Sequence, residues 1–376
     1  MSKHSREQRR AHDRARRSAG PSAEVADRAE KALAGLVEGI AEIAATRGVV
    51  VRRIDLDGFA RLRRGYLERG ERWAPWCYLP VAFVGAGLGE ELAIDANPAL
   101  VSPAALLASV VAAWLPGRIA VRFDDDLAGA LMQTRLDSVI PTEVLHRLPA
   151  WGLYVDCPQL GRLRGFFAAL DAGVIEGASG MALDDIDELF IVGVRDQDDG
   201  GPRHFITTLR LEPGTSIADS VAAQRRQDEE TGPGALHTDE DQWVAALGMT
   251  RGEAIARMVS LLLYLCSTDA DTATRTVPPA SGAGRPSRPV SVVSAGFRVG
   301  AALRSQAQPA SASSDQVTGR RTAPHLRRAH WHHYWCGSAA RGDQRLELRW
   351  VPPVPVNADH SEALLTVVRP AGRTDA

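Results

Sequence analysis

The sequence predicts an α+β fold, in which helices pack on a mainly antiparallel sheet with flexible insertions. Three observations predict it. Apolar residues recur at helical spacing between residues 22 and 47, which indicates an amphipathic helix. Two apolar runs separated by a polar loop, between residues 189 and 211, are typical of a β-hairpin. Stretches rich in Pro, Ser, Ala and Gly interrupt the second half of the chain and indicate linkers.

Charge is distributed unevenly along the chain. The 376 residues carry a formal net charge of -2, which argues against a protein that is basic all over. Seven Lys or Arg nevertheless fall within residues 1–17, and seven Arg fall within residues 320–349. We therefore expect residues 1–21 to form a disordered basic tail, whose charge would suit the ribosome or RNA as a partner.

An uncharged stretch from Asn97 to Gly117 resembles a membrane span in composition. Ser102 and Pro103 have the pattern of a helix N-cap and first turn, and Pro116 ends the pattern. The helix they enclose has roughly 13 residues, whereas a span needs about 20. We expect a buried helix and no membrane partner.

The middle of the chain predicts strands followed by helices. Residues 151–155 alternate as a strand does, and the segments 189–194 and 204–211 form the predicted hairpin. A short helix follows over residues 216–227. Thr250 and Glu253 form a capping-box pattern before a helix that is apolar on nearly all sides, which we expect to be the most buried element.

These patterns divide the chain into five parts. We expect the basic tail over 1–21, an α+β main domain over 22–269, flexible linkers around a short helix over 270–323, a segment over 324–357 that packs on the main domain, and a tail over 358–376. The four cysteines form no close pair, and no secretory signal begins the sequence. Both features predict a reduced protein of the cytoplasm.

Residues 324–357 have the most unusual composition. Four of the ten histidines lie between His325 and His333, among Trp331, Tyr334 and Trp335. These side chains, with the nearby arginines, donate hydrogen bonds, stack on flat partners and carry positive charge. Three functional interpretations compete with a structural one.

The first interpretation is a metal site and the second is catalysis. On a strand, His330, His332, Tyr334 and Cys336 would share one face. Two His and a Cys suit zinc, but no clear fourth ligand is near, since His360 is the only late candidate. His330 or His332 would suit a general base in RNA processing, although such pairs normally come from two repeats and this chain has none. We expect no metal and no cofactor, and we assign no catalytic residue.

The third interpretation is a binding surface. Arg327 and Arg328 would bind phosphate or carboxylate groups through paired hydrogen bonds, and the aromatic rings would stack on flat groups of the partner. In the structural interpretation, tryptophans fill the core, and we expect this of Trp335 and Trp350 taken alone. For the whole segment we favour binding, because burying so many polar groups is costly unless all are paired. The predicted partner-binding residues are His325, Arg327, Arg328, His330, Trp331, His332, Tyr334 and Trp335.

The run His325-x-Arg-Arg-x-His-Trp-His-x-Tyr-Trp-x-Gly337 resembles the C-terminal signature of a type V-A anti-CRISPR family. Further stretches resemble that family in the same order along the chain. They are Leu148-Pro-x-Trp-x-x-Tyr-Val-Asp156, Leu261–Cys266, Arg298-x-Gly-x-x-Leu-Arg304, Arg349-Trp350 and Val356-Asn357. Cys336 and His333 fall at variable positions of the signature, which argues against both as metal ligands.

The resemblance implies a protein on, or derived from, a mobile element that lowers expression of the RNA-guided nuclease of type V CRISPR systems. It further implies binding to the N-terminus of that nuclease, or of another target protein, during its translation, with loss of the mRNA. The chain would then be a binding protein rather than an enzyme. The alternative is an RNA-processing or metal-dependent hydrolase that uses His330 or His332.

Overall fold

The computed structural model describes residues 20–46, 55–92, 103–136, 140–177, 186–195, 204–231, 240–278, 288–307, 325–342 and 344–356. The described helices are α1 (Pro21–Thr46), α2 (Gly58–Glu68), α3 (Val81–Leu92), α4 (Pro103–Gly117), α5 (Asp125–Gln133), α6 (Ile217–Thr231), α7 (Glu240–Leu247), α8 (Arg251–Cys266) and α9 (Phe297–Ala307). Two short 3-10 helices cover Thr142–Arg147 and Ala339–Arg341.

The strands among the described residues form one large sheet and three two-stranded ones. They are β1 (Arg72–Trp73), β2 (Ile119–Phe123), β3 (Gly152–Asp156), β4 (Leu163–Asp171), β5 (Ile175–Glu176), β6 (Asp187–Arg195), β7 (His204–Leu211), β8 (Thr272–Val277), β9 (Val290–Ala295), β10 (His325–Arg327), β11 (His330–Cys336), β12 (Arg345–Val351) and β13 (Val354–Val356). Within the described residues, the large sheet has seven strands in the order β7-β6-β4-β3-β2-β9-β8. Strand β2 runs parallel to β3 and β9, and the other neighbours are antiparallel. The α+β class with a mainly antiparallel sheet is confirmed.

Helices cover both faces of this sheet. Side chains alternate along β3, so Leu153 and Val155 enter one hydrophobic cluster while Tyr154 enters the other. Helices α5 and α8 supply the first cluster, and α1 and α4 supply the second. The predicted uncharged helix is α4, with a continuous run of buried residues from Ala104 to Trp114. No helix among the described residues is both long and apolar enough to cross a membrane.

Helix α8 begins as its sequence predicts. The Thr250 hydroxyl accepts a hydrogen bond from the Glu253 N–H at 3.2 Å, and the Glu253 carboxylate accepts one from the Thr250 N–H at 3.0 Å. This reciprocal pair satisfies two backbone donors that a helix start leaves open. Leu261, Leu262 and Leu263 are fully buried, which places α8 at the centre of its cluster.

The segment predicted to be linkers contains two strands of the large sheet, which corrects that prediction. Strand β9 pairs with β2 from Ser291 to Ala295, and β8 pairs with β9. Val290 and Val292 are buried, so a short β-branched run surrounded by small residues is sufficient to add a strand. The predicted short helix is confirmed as α9. The tails over 1–19 and 358–376, and residues 308–324, lie outside the described residues.

Candidate functional site

Strands β11 and β12 form a two-stranded antiparallel ribbon that carries most of the predicted site. The register pairs Trp331 with Trp350, His332 with Arg349 and Tyr334 with Glu347. Because side chains alternate along a strand, paired residues share a face, and the ribbon has one face toward the core and one away from it.

The inner face anchors the ribbon. Trp331, Leu348 and Trp350 are 2%, 0% and 6% exposed and belong to the same hydrophobic cluster as α8. The Trp350 indole N–H donates to the Thr134 hydroxyl at 3.1 Å. A backbone bond from the Thr268 N–H to the Leu348 carbonyl, at 3.1 Å, also ties β12 to the main fold. These contacts anchor the inner face of the ribbon to the main fold.

Trp331 and Trp335 differ in exposure from what the sequence predicts. Trp331 was predicted to offer a stacking face to a partner, but it is buried under the ribbon and contributes packing instead. Trp350 fills the core as expected. Trp335 was expected, taken alone, to fill the core, and that expectation is wrong, because Trp335 lies beyond the edge of the cluster and is 67% exposed. The partner-binding role of Trp335 within the whole segment stays a prediction.

The outer face carries His330, His332, Tyr334 and Cys336, as the alternation predicts. The rings of His332 and Tyr334 meet edge to face with centroids 4.1 Å apart, and those of His330 and His332 are 6.4 Å apart. The His330 Nδ1 atom lies 3.4 Å from the Arg328 carbonyl oxygen. These contacts order the rings into a row along the strand.

Strand β12 adds charge to this row. Arg345 Nε donates to Glu347 at 3.0 Å, and Arg349 Nη2 lies 3.4 Å from the other carboxylate oxygen of Glu347. The hydrogen bond from Arg345, followed by that from Cys336, lowers the pKa of Glu347. Burial, followed by the hydrogen bond with Glu347, raises the pKa of the Cys336 thiol.

Sequence reasoning missed Arg345, Glu347 and Arg349 as members of the site. The signal that would have found them is the alternation in Arg345–Val351, where charged residues at every second position oppose the histidine strand in a hairpin. We name the set of His330, His332, Tyr334, Cys336, Arg345, Glu347 and Arg349 the outer face.

The remaining predicted residues lie at the base of the ribbon. Arg328 is exposed in the two-residue connection between β10 and β11. His325 and Arg327 lie on β10, which pairs with β13, and their side chains are outside the described residues. Among the side chains that the structure describes, no group of three or more His, Cys, Asp or Glu could hold a metal ion.

The part of the chain that carries the ribbon matches a known family. The family model "AcrVA2-like: Anti-CRISPR type V subtype A2 family" matches residues 121–358, which is more than half of the chain and includes the whole ribbon. Among solved structures, the "Crystal structure of AcrVA2" is similar with a TM-score of 0.48 and 19% identity over 80% of this chain and 92% of that chain. No curated protein matches. On the family match, this chain belongs to the anti-CRISPR type V subtype A2 family.

Proposed function

We propose that this chain acts in the cytoplasm by binding the nascent N-terminus of a target protein, such as a type V CRISPR nuclease, and that binding leads to loss of the target's mRNA. The observation that carries the proposal is the outer face together with Trp335. It presents ordered aromatic, imidazole and guanidinium groups on a strand pair anchored to the core, inside the region that matches the family.

The chemistry of this surface suits a peptide. Tyr334 and Trp335 are 42% and 67% exposed and stand on opposite sides of the ribbon near its tip. Exposed aromatic side chains supply large contact areas at low entropic cost, and they are enriched among residues that dominate binding energies. Arg345 and Arg349 would meet carboxylate or backbone carbonyl groups of the peptide. The exposed aromatic rings and guanidinium groups of the ribbon therefore favour binding of an unfolded N-terminus.

A reporter experiment tests whether the encoded peptide is what is recognised. The first codons of a type V nuclease are fused to a reporter in four versions: native, synonymously recoded, frameshifted over the same nucleotides, and carrying an early stop. We expect co-expression of this protein to lower reporter mRNA for the native and recoded versions only. Loss of mRNA from the frameshifted version would show that the peptide is not recognised and would overturn the proposal.

The hydrolase alternative is tested on the purified chain. His330 and His332 are neighbours on one face, so the variant His330→Ala/His332→Ala removes both candidate bases at once. We expect purified wild-type protein to leave RNA intact with and without added zinc. Cleavage by the wild type that the double variant loses would replace the binding proposal with an enzymatic one.

A further inference from the structure

The strand β8 ends the large sheet on one side. It pairs with β9, and within the described residues no strand pairs with its other side, which we name the open edge. The side chains of its first five residues are exposed, and only Val277 is buried. At the opposite end of the sheet, most side chains of β7 are buried. The sheet is therefore accessible at β8.

The bonds between β9 and β2 determine how β8 is paired. The Ser291 N–H donates to the Arg118 carbonyl at 3.0 Å. The Ala295 carbonyl accepts a hydrogen bond from the Asp124 N–H at 2.9 Å. The odd-numbered residues of β9 thus direct their backbone groups toward β2. Because these groups alternate in direction along a strand, the even-numbered residues of β9 face β8.

The same alternation leaves three backbone positions of β8 directed out of the sheet. The even-numbered residues of β9 pair with the odd-numbered residues of β8. The Gly296 N–H continues this pattern and donates to the Asp271 carbonyl at 2.6 Å, just before β8 begins. The N–H and C=O groups of the even-numbered residues of β8 therefore point into the open edge. These residues are Thr272, Thr274 and Thr276. Within the described residues, no backbone hydrogen bond reaches these groups.

The strand β8 lacks the usual protection of a sheet edge. Natural proteins protect edge strands with lysine, proline, a β-bulge or a covering segment. The register of β8 with β9 is continuous, and Arg275 is its only charged residue. Pro278 follows the strand instead of interrupting it. The β-branched threonines favour strand pairing. Both the backbone and the side chains of β8 therefore suit the addition of another strand.

The open edge begins beside the ribbon. The Thr268 N–H donates to the Leu348 carbonyl of β12 at 3.1 Å. Burial raises the pKa of Asp269, and the charges of Arg349 and Glu347 act on the same carboxyl group. From Asp269 to the first residue of β8 the chain spans at most about 10 Å. An extended segment can therefore contact the outer face and the open edge together.

We propose that the nascent N-terminus of the target binds as an added strand on the open edge of β8. This inference rests on the proposed function and assigns the place and geometry of binding. An unfolded chain carries N–H and C=O groups at two-residue intervals along each side, which match the three threonines of β8. Strand addition of this kind is a recurring mode of peptide recognition. Backbone pairing supplies affinity for varied sequences, and side-chain contacts with the outer face supply specificity.

A second copy of this chain is the other partner that suits an open edge. Pairing between two copies of β8 would be limited to one strand of six residues, most of them small or polar. Specific interfaces between folded proteins bury about 1,200–2,000 Å² in total, which is far more than such a contact. A peptide gains further contacts from the outer face. We therefore assign the open edge to a peptide.

The variant Thr274→Pro tests this assignment. Because the Thr274 N–H points into the open edge, proline removes a donor there and none from the pairing of β8 with β9. We expect affinity for a synthetic N-terminal peptide of a type V nuclease to fall by about tenfold or more, measured by isothermal titration of the full-length chain. The matched control Thr274→Val keeps the N–H and should bind within about twofold of the wild type. Thermal unfolding verifies that both variants are folded.

A second measurement changes the peptide and leaves the protein intact. Two sets of peptides carry backbone N-methyl groups, one set at odd and the other at even positions. In an added strand only alternate N–H groups face β8, so one set should lose binding while the other keeps it. This difference does not depend on the folding of any variant. Equal affinities of the two sets would exclude strand addition.

The outcomes separate this inference from the proposed function. If the wild type binds the peptide but neither Thr274→Pro nor N-methylation at either set of positions weakens binding, the inference is wrong and the proposed function stands. If the wild type does not bind the peptide, both are wrong. A dimer of the wild type that Thr274→Pro abolishes in light scattering, with peptide binding unchanged, would assign the open edge to a second copy and overturn the inference.

Discussion

The guanidinium of Arg349 lies 5.6 Å from the centre of the Tyr334 ring, although the two residues belong to different strands. Glu347 stands between Arg345 and Arg349 on the same face and holds both in place. A cation over an aromatic ring contributes on the order of 0.5–1 kcal/mol at an exposed site. The contact therefore positions the ring and the charge together, as a preformed surface.

The first prediction concerns the exposed aromatic residues. Tyr334→Ala/Trp335→Ala should weaken binding to a target N-terminal peptide by at least tenfold, which corresponds to about 1.4 kcal/mol, because aromatic anchors dominate most interfaces. Isothermal titration with a synthetic peptide measures the loss, and the melting temperature should not change. Phe297→Ala is the control, since Phe297 is 45% exposed on α9 and lies outside the outer face. Equal losses in both variants would contradict a specific role for the ribbon.

The second prediction compares two tryptophans of one strand. Trp331→Ala should lower the free energy of unfolding by about 3–5 kcal/mol, because it removes a fully buried ring from the core. Trp335→Ala should change that free energy by no more than about 0.5 kcal/mol, because its ring is mostly in solvent. Urea denaturation of the two variants measures the difference. Similar destabilisation by both would mean that the ribbon packs differently from the arrangement described here.

The third prediction concerns a buried acid. Asp171 accepts a hydrogen bond from the Val81 N–H at 2.8 Å, and its neighbours are Cys77, Asp187 and Glu188. Burial raises the pKa of Asp171 from 3.8 to about 8. Between those values the folded chain keeps a proton that the unfolded chain releases, so the free energy of unfolding should fall as pH rises, by on the order of 1 kcal/mol per unit.

Asp171→Asn isolates this effect, because the amide keeps the acceptor oxygen but does not ionise in this range. Its free energy of unfolding should vary less between about pH 5 and about pH 8 than that of the wild type. Urea titrations at several pH values give both slopes. An unchanged slope in the variant would show that Asp171 is not the group responsible.

Local patterns predicted local structure well. Three elements lie where the sequence predicts them. They are the capping box of Thr250 and Glu253, the hairpin β6–β7 and the helix α1. The strands β8 and β9 were missed, because a short valine run beside small residues has little periodicity of its own. Pairing with β2, distant in sequence, is what makes that run a strand.

The sequence alone determined that His330, His332 and Tyr334 share one face, because strand alternation is a property of the backbone. It also carried the family signature. Only the tertiary structure decided which face of the ribbon is covered, and so why Trp331 is buried while Trp335 is exposed. It likewise brought Arg28 to Asp156 across 128 residues. Alternation defines two faces but does not choose between them, and that choice depends on packing among elements far apart in the chain.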